Sequence, residues 1–264
     1  MKLIFYSLVI SLLAGCSEST TINSVSEIDN WEDWEKNSSA YGGAEVLALI
    51  RAAKENNSTE LVINHKIIKD TTPFGTLTNL EKLNIGNNEI TDISFLANLK
   101  NLKWLRLDGN KIRDFSPLKN LTQLETLGTD GNRPKDFEPL RGLTNLKYLG
   151  LHNTLLVNLA PLENLKNLEE LWLVHNKIEN LSPLKNLKNL KILHAHHNYI
   201  SGVEYLCRLD KLETLNVEHN HISNLLPLSN LKNLKLLVVK DNLFPSEHIQ
   251  NLVSALPTTK IIHK

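Results

Sequence analysis

The sequence predicts an α/β solenoid in which nine coils of 22 residues stack on one another, and three observations support this fold class. Leucines recur at a fixed spacing along most of the 264-residue chain. In each repeat a short apolar run alternates with polar residues, as in a half-buried strand. The slot that follows this run is usually asparagine, at Asn88, Asn110, Asn132, Asn176, Asn198, Asn220 and Asn242. Such a period indicates a chain that builds a broad surface rather than a closed catalytic pocket.

The first residues have the pattern of an export signal. The apolar stretch over residues 3–13 is shorter than the roughly 20 residues of a membrane-spanning helix. The sequence LAGC, which ends at Cys16, resembles the lipobox of bacterial lipoproteins, and this resemblance implies cleavage before Cys16 and acylation of its thiol. An ordinary signal peptide followed by an incidental cysteine is the alternative. We therefore expect a signal peptide over residues 1–15 and a lipidated cysteine with a flexible polar tether over residues 16–30.

A helical cap is predicted at the amino-terminal end of the repeats, over residues 31–58. The outermost coil has no neighbour on one side, so another element must cover its apolar face. Apolar residues at helical spacing predict an amphipathic helix over residues 44–57. We expect Trp31 and Trp34 to pack beside this helix.

The repeats themselves occupy residues 59–244, and the frame holds throughout. Lys66 takes the asparagine slot in the first coil and Thr154 takes it in the fifth, because the leucines around both positions stay in register. Apolar pairs such as Leu83 and Ile85 predict short parallel strands that form one concave sheet. Leucines three residues apart on the return segments suit 3₁₀ or irregular backbone on the convex side. A buried amide in the slot can satisfy backbone groups at a tight turn, so we interpret the asparagines as structural.

The carboxyl-terminal cap over residues 245–264 is predicted to combine a helix with a strand. Pro245 favours a helix start. Residues 259 and 261 lie 22 positions beyond Leu237 and Val239, so we expect the last strand to keep the repeat frame. The predicted apolar face of the helix consists of Ile249, Leu252, Val253 and Leu256.

The repeat pattern resembles that of the leucine-rich repeat proteins, specifically the 22-residue class found in bacterial internalins and in the regulatory subunit of protein phosphatase 1. The resemblance covers roughly residues 60–262, where the motif recurs nine times in frame. It implies a curved right-handed solenoid that binds proteins on its concave sheet. Together with Cys16, the pattern is similar to that of a bacterial leucine-rich repeat lipoprotein of the internalin-like class.

Outward-facing residues on the central strands form the predicted binding site. Neighbours of a buried leucine on a strand point away from the core. Exposed aromatic side chains beside charges are typical of interface hot spots, whereas packing of large side chains on one another along the inner curve is the alternative interpretation. We predict that a protein partner contacts Trp104, Arg106, Asp108, Tyr148, His152, Trp172, His194, His196 and Glu218.

Three histidines, His175, His197 and His219, occupy the same position of successive coils, one residue before the slot. Parallel stacking would place their backbones about 4.8 Å apart. A transition-metal site, a pH-responsive surface and a solvated ladder copied with its repeat are the three interpretations. We predict no metal site, because no carboxylate or thiolate is fixed in the same stack.

Composition narrows the function class. The 29 basic and 29 acidic residues balance, so the basic stripe expected of a nucleic-acid-binding protein is missing. No phosphate-binding loop, nucleophile elbow or paired-cysteine motif occurs in the sequence, so we expect neither enzymatic activity nor a cofactor. We predict a monomeric, lipid-anchored protein-binding scaffold of the cell envelope, at the outer membrane if the host is Gram-negative. A structural component of an envelope assembly and a metal- or pH-responsive sensor are the alternatives.

Overall fold

A ten-stranded parallel sheet dominates the computed structural model, which describes residues 30–264. The predictions for residues 1–29, namely the signal peptide, the acylation of Cys16 and most of the tether, lie outside the described residues. Trp31–Lys264 forms one compact unit. Within the described part of the chain, no helix is long and apolar enough to cross a membrane.

The strands follow one another across the sheet in chain order, and each is three residues long. Short strands are expected because each coil must turn twice within its 22 residues. Their bounds are β1 Glu60–Val62, β2 Lys82–Asn84, β3 Trp104–Arg106, β4 Thr126–Gly128, β5 Tyr148–Gly150, β6 Glu170–Trp172, β7 Ile192–His194, β8 Thr214–Asn216, β9 Leu236–Val238 and β10 Lys260–Ile262.

The predicted 22-residue frame is confirmed by the pairing of the strands. Leu61 pairs with Leu83, and Leu83 pairs with Leu105, a step of 22 in each case. Because the leucine occupies the same position along every strand, the leucines of neighbouring strands stack into a continuous core. All central leucines of β2 to β9 are fully buried, so each coil depends on its neighbours for burial of its apolar face.

The convex side consists of short 3₁₀ helices, as the leucine spacing predicted. Proline begins most of them, where its missing N–H costs no hydrogen bond. The bounds of those in the repeats are Thr72–Thr76, Ser94–Asn98, Ser116–Asn120, Glu138–Leu140, Ala160–Leu162, Ser182–Asn186, Glu204–Leu206 and Leu226–Asn230.

The asparagine slot is structural, as predicted. Asn110 donates from Nδ2 to the carbonyls of Ile85 and Leu107 at 3.0 and 2.8 Å, and its Oδ1 accepts from the N–H of Ile90 at 3.1 Å. One side chain therefore ties two neighbouring coils. Thr154 is fully buried in the same slot and donates to the carbonyl of Leu151.

The amino-terminal cap contains two helices, α1 (Trp31–Lys36) and α2 (Ala44–Glu55), with a 3₁₀ turn over Ser38–Tyr41 between them. The sequence predicted α2 but not α1. Trp31 and Trp34 are both buried and meet edge to face, with ring centroids 4.9 Å apart. The guanidinium of Arg51 on α2 lies over the Trp31 ring, 5.3 Å from its centroid, and both tryptophans belong to the same buried core as the apolar face of α2, so the predicted packing beside this helix is confirmed.

The carboxyl-terminal cap also has the predicted elements, α3 (Glu247–Ala255) and β10, but two details of the prediction are wrong. Lys260 pairs with Leu236, a step of 24 rather than 22, because the helical connection is longer than the 3₁₀ connection of the repeats. Val253 is 54% exposed and does not belong to the apolar face. His248 is buried there instead, and its Nδ1 accepts from the N–H of Leu225 at 3.4 Å.

Candidate functional site

The nine residues predicted to bind a partner lie on or just after strands β3 to β8, on the side of the sheet that faces away from the leucine core. We call this set the concave strip. None of its side chains is freely exposed, since all nine residues are half-buried. Neighbouring side chains on the strip pack on one another, as in the alternative interpretation of large side chains along the inner curve.

The first cluster on the strip is charged. Arg106 donates from Nε to Oδ2 of Asp108, and its guanidinium lies over the ring of Tyr148, 5.7 Å from the centroid. Oδ1 of Asp108 accepts from the backbone N–H of Asp130 at 3.0 Å, and Oδ1 of Asp130 accepts from that of His152 at 2.8 Å. Three successive coils are thus linked by carboxylates on the concave face.

Two glycines make room for this cluster. A Cβ atom on Gly128 would lie 2.5 Å from Nε of Arg106, and a Cβ atom on Gly150 would lie 2.9 Å from Oδ1 of Asp130. Arg106 and Asp130 can therefore lie flat on the sheet only because these two positions have no side chain. The glycines shape the site, although their backbone conformation does not require glycine.

Burial perturbs the ionisable groups of the cluster. Burial opposes the charge on Arg106, but the adjacent Asp108 outweighs it and raises the pKa of the guanidinium. Burial also raises the pKa of the Asp130 carboxyl, against the stabilising N–H of His152, and it raises the pKa of the Tyr148 hydroxyl. The cluster contains one guanidinium and two carboxyl groups, so its net charge is negative when both carboxyls are ionised and zero when Asp130 is protonated.

The second cluster is aromatic and uncharged. Trp172 stacks on His194 with centroids 4.0 Å apart and an interplanar angle of 24°, and His194 meets His196 edge to face at 6.0 Å. Three buried nitrogens in this cluster, Nε1 of Trp172 and Nδ1 of both histidines, have no hydrogen-bond partner among the described residues. Burial lowers the pKa of His194, and burial with help from neighbouring imidazoles lowers that of His196 to about 4.

Three residues of the concave strip contribute no side chain to these clusters. Trp104 lies two strands from Tyr148, about 10 Å away at the usual strand spacing. His152 contributes its N–H to the charged cluster, while its ring meets His175 edge to face at 5.4 Å. Glu218 follows β8 by two residues, and its N–H donates to Oδ1 of Asn216, the last residue of that strand.

The three histidines at equivalent positions form a separate feature that we call the histidine edge, composed of His175, His197 and His219. Their rings stack nearly parallel, with centroids 4.2 and 4.3 Å apart. Nε2 of His219 lies 3.2 Å from Oδ2 of Asp241. Burial, and then the two flanking imidazoles, lower the pKa of His197. Within residues 30–264, no group of three or more histidine, cysteine, aspartate or glutamate side chains is arranged to hold a metal ion.

Sequence reasoning missed Asp130 and the role of the two glycines. A signal for Asp130 was present, because it follows Asp108 by one repeat and therefore occupies the same column of the sheet. No sequence signal indicated that Gly128 would accommodate Arg106, since that depends on how the arginine side chain folds back.

The comparisons with known proteins agree with this architecture. Two models of leucine-rich repeats match the chain, one over residues 59–112 and the other over residues 100–142, 144–186 and 166–207. No curated protein sequence matches the chain.

Several solved structures resemble the described fold. An internalin, InlF, of Listeria monocytogenes is 30% identical with a TM-score of 0.76, and the match covers 86% of this chain and 76% of that one. Internalin C2 of the same species is 31% identical with a TM-score of 0.69, with coverages of 84% and 92%. A leucine-rich repeat protein of Leptospira interrogans is 25% identical with a TM-score of 0.67, with coverages of 76% and 59%.

Proposed function

The chain belongs to the leucine-rich repeat family, with internalins among its structural neighbours, and from this premise we propose that its concave strip binds a protein partner. The scaffold itself does not require the residues of the strip, because the leucine core and the asparagine ladder lie elsewhere in the coil. The strip is the part of each coil that can vary without loss of the fold.

The unpaired nitrogens of Trp172, His194 and His196 carry this proposal. Buried polar groups in native proteins are normally hydrogen-bonded, and each one left unpaired costs about 1–3 kcal/mol. These three are the buried side-chain nitrogens and oxygens without a partner among the described residues. Trp172 and His194 pair on adjacent strands, and His196 follows the second strand by two residues. A partner that shifts the Trp172 ring and supplies polar groups would satisfy them.

The combination of side chains also suits a protein partner. Trp172 and Tyr148 provide large, rigid contact areas, and Arg106 has guanidinium donors beyond the bond from Nε to Asp108. Tryptophan, tyrosine and arginine are the residues most enriched in interface hot spots. The charged cluster would fix the register of the partner, and the aromatic cluster would supply most of the binding energy.

A triple substitution tests the proposal. Trp104, Tyr148 and Trp172 are replaced together by alanine, and the immobilised variant is compared with the unmodified protein in capture from cell-envelope and host-cell-surface extracts. A matched control is Tyr205→Ala, because Tyr205 is an exposed aromatic residue on the convex side. We expect a partner that the unmodified protein and the control retain and the triple variant loses, with its affinity reduced at least 100-fold. Equal capture by the triple variant would assign the interaction to another face.

We further propose that acylation of Cys16 anchors the protein in the cell envelope. Support comes from the sequence LAGC after the short apolar stretch and from the polar residues that separate Cys16 from the first cap helix. Expression of the full chain and of Cys16→Ala in a bacterium fed with labelled palmitate provides the test. We expect label and membrane fractionation for the first and neither for the second. Labelling of the Cys16→Ala protein would exclude this anchor.

A further inference from the structure

The histidine edge occupies a backbone position where histidine has a conformational cost. His175, His197 and His219 have φ values of 53°, 55° and 50°, in the left-handed region. The equivalent residues of other coils are His65, Asn87, Gly109, Gly131, Asn153 and Asp241. Glycine and asparagine adopt this conformation most readily. A single histidine is tolerated there, as His65 shows, but among the described coils imidazoles stack on one another at this position only at His175, His197 and His219.

The rings of the histidine edge have little charge compensation. Asp241 is the one carboxylate within ion-pair distance of these rings among residues 30–264. His175 and His197 have no carboxylate within ion-pair distance in that part of the chain, and Glu218 and Asp241 act on His197 only from further away. Titratable or charged groups around the edge are His152, His196, Glu218, Asp241, Lys177 and Tyr199.

Protonated imidazoles would make this edge a concentrated positive surface. Imidazoles as a class gain their charge between about pH 8 and pH 5. Rings stacked 4.2 and 4.3 Å apart then repel one another. An external carboxylate placed along the stack relieves that repulsion, so the complementary ligand is one with several carboxylates in a row.

We propose that the histidine edge binds a carboxylate-rich segment of a protein, and that this binding strengthens as the pH falls from 7.5 to 5.5. The site is separate from the concave strip and does not depend on the partner proposed for it. Leu155 and Tyr199, which are exposed and lie two residues after the histidine position in their coils, give the edge an apolar border for main-chain contact beside the acidic side chains.

The direction of the pH dependence follows from proton linkage. A bound carboxylate favours the charged imidazole, so the complex keeps its rings protonated to a higher pH than the free protein does. Binding therefore takes up protons, and the affinity rises as the pH falls. Each proton taken up raises the affinity at most tenfold per pH unit. One proton per complex gives up to about 100-fold over two units.

The experiment measures binding of fluorescein-labelled hexaglutamate to the full chain by fluorescence anisotropy at pH 7.5, 6.5 and 5.5. The test variant carries His175→Asn, His197→Asn and His219→Asn together. Asparagine occupies the same turn position at Asn87 and Asn153, so the fold should persist. The matched control is His65→Asn, the same substitution at the same left-handed position of the first coil.

We expect the unmodified protein and the His65→Asn control to bind hexaglutamate at least tenfold more tightly at pH 5.5 than at pH 7.5. The triple variant should lose this gain while its urea unfolding midpoint at pH 7.5 stays the same. An unchanged pH dependence in the triple variant would overturn the proposal. So would tighter binding to phosphatidylserine vesicles or to oligothymidylate than to the peptide, because either result would assign the edge to another class of anion. The alanine variant of the concave strip should still bind hexaglutamate, which separates this proposal from the one above.

Discussion

Replacement of Asn176 by alanine tests whether the asparagine ladder holds the coils together, and its cost can be worked out bond by bond. Nδ2 of Asn176 donates to the carbonyls of Leu151, Leu173 and Val174. Oδ1 accepts from the N–H and hydroxyl of Thr154 and from the N–H of Leu156. Six contacts are lost with the side chain, but they do not cost the same.

The three carbonyls each keep another donor. Leu151 still accepts from the hydroxyl of Thr154, Leu173 from Nδ2 of Asn198, and Val174 from the N–H of Asn153. By contrast, the two N–H groups of residues 154 and 156 lose their acceptor inside the coil. Each unpaired buried donor costs about 1–3 kcal/mol. We therefore expect Asn176→Ala to lower the free energy of unfolding by about 3–5 kcal/mol, mostly from these two donors.

Urea unfolding, followed by tryptophan fluorescence, provides the measurement. Asn242→Ala is the matched control, because Asn242 occupies the same slot in the last coil, is half-buried and accepts from one N–H, that of Ile222. It should cost about 1–2 kcal/mol. Asn176→Thr should recover part of the loss, since Thr154 already occupies this slot in the fifth coil. A difference of less than about 0.5 kcal/mol between the alanine variants at 176 and 242, the usual noise of such comparisons, would contradict the assigned role of the two buried donors.

Two further predictions concern the concave strip. The pKa of His196 is lowered to about 4, so as the pH falls from about 6.5 the unfolded chain takes up the proton before the folded one does. The free energy of unfolding is therefore unaffected by this residue above pH 6.5 and falls towards pH 4. Allowing for screening at a half-exposed site, urea unfolding should show a decrease of about 1–2 kcal/mol over this range. His196→Asn should remove that part of the pH dependence. Gly128→Ala should lower the free energy of unfolding by about 1–2 kcal/mol, because the new Cβ would displace Arg106. The control is Gly142→Ala, whose new Cβ would lie 3.7 Å from the nearest atom and should change the free energy of unfolding by under about 0.5 kcal/mol. Equal losses in the two variants would exclude the proposed role of Gly128.

The repeat frame could be predicted from sequence because the same leucine positions recur every 22 residues. Thr154 shows how strong this constraint is, since a neighbouring asparagine one position earlier did not displace it from the buried slot. The carboxyl-terminal cap lies outside this repetition. Its strand pairs with a step of 24, which depends on the length of α3 and its connection rather than on the leucine period.

Side-chain packing on the concave strip could be predicted less well. Strand alternation correctly placed Tyr148 and Trp172 on the outward side of the sheet. It carried no information on how far each side chain lies down on its neighbours. That depends on the residue one coil away in the same column, as with Arg106 over Gly128 and His194 beneath Trp172.

The two clusters of the strip differ in a way that bears on how binding proceeds. In the charged cluster, Asp108 is bonded through both carboxylate oxygens, so its geometry is set before a partner arrives. In the aromatic cluster, the nitrogens without partners are shielded by the rings that surround them, so no partner reaches them unless Trp172 moves. A partner should therefore dock first on the preformed charged cluster, where charges accelerate encounter. Displacement of Trp172 would follow, and replacement of Trp172 should then affect dissociation more than association.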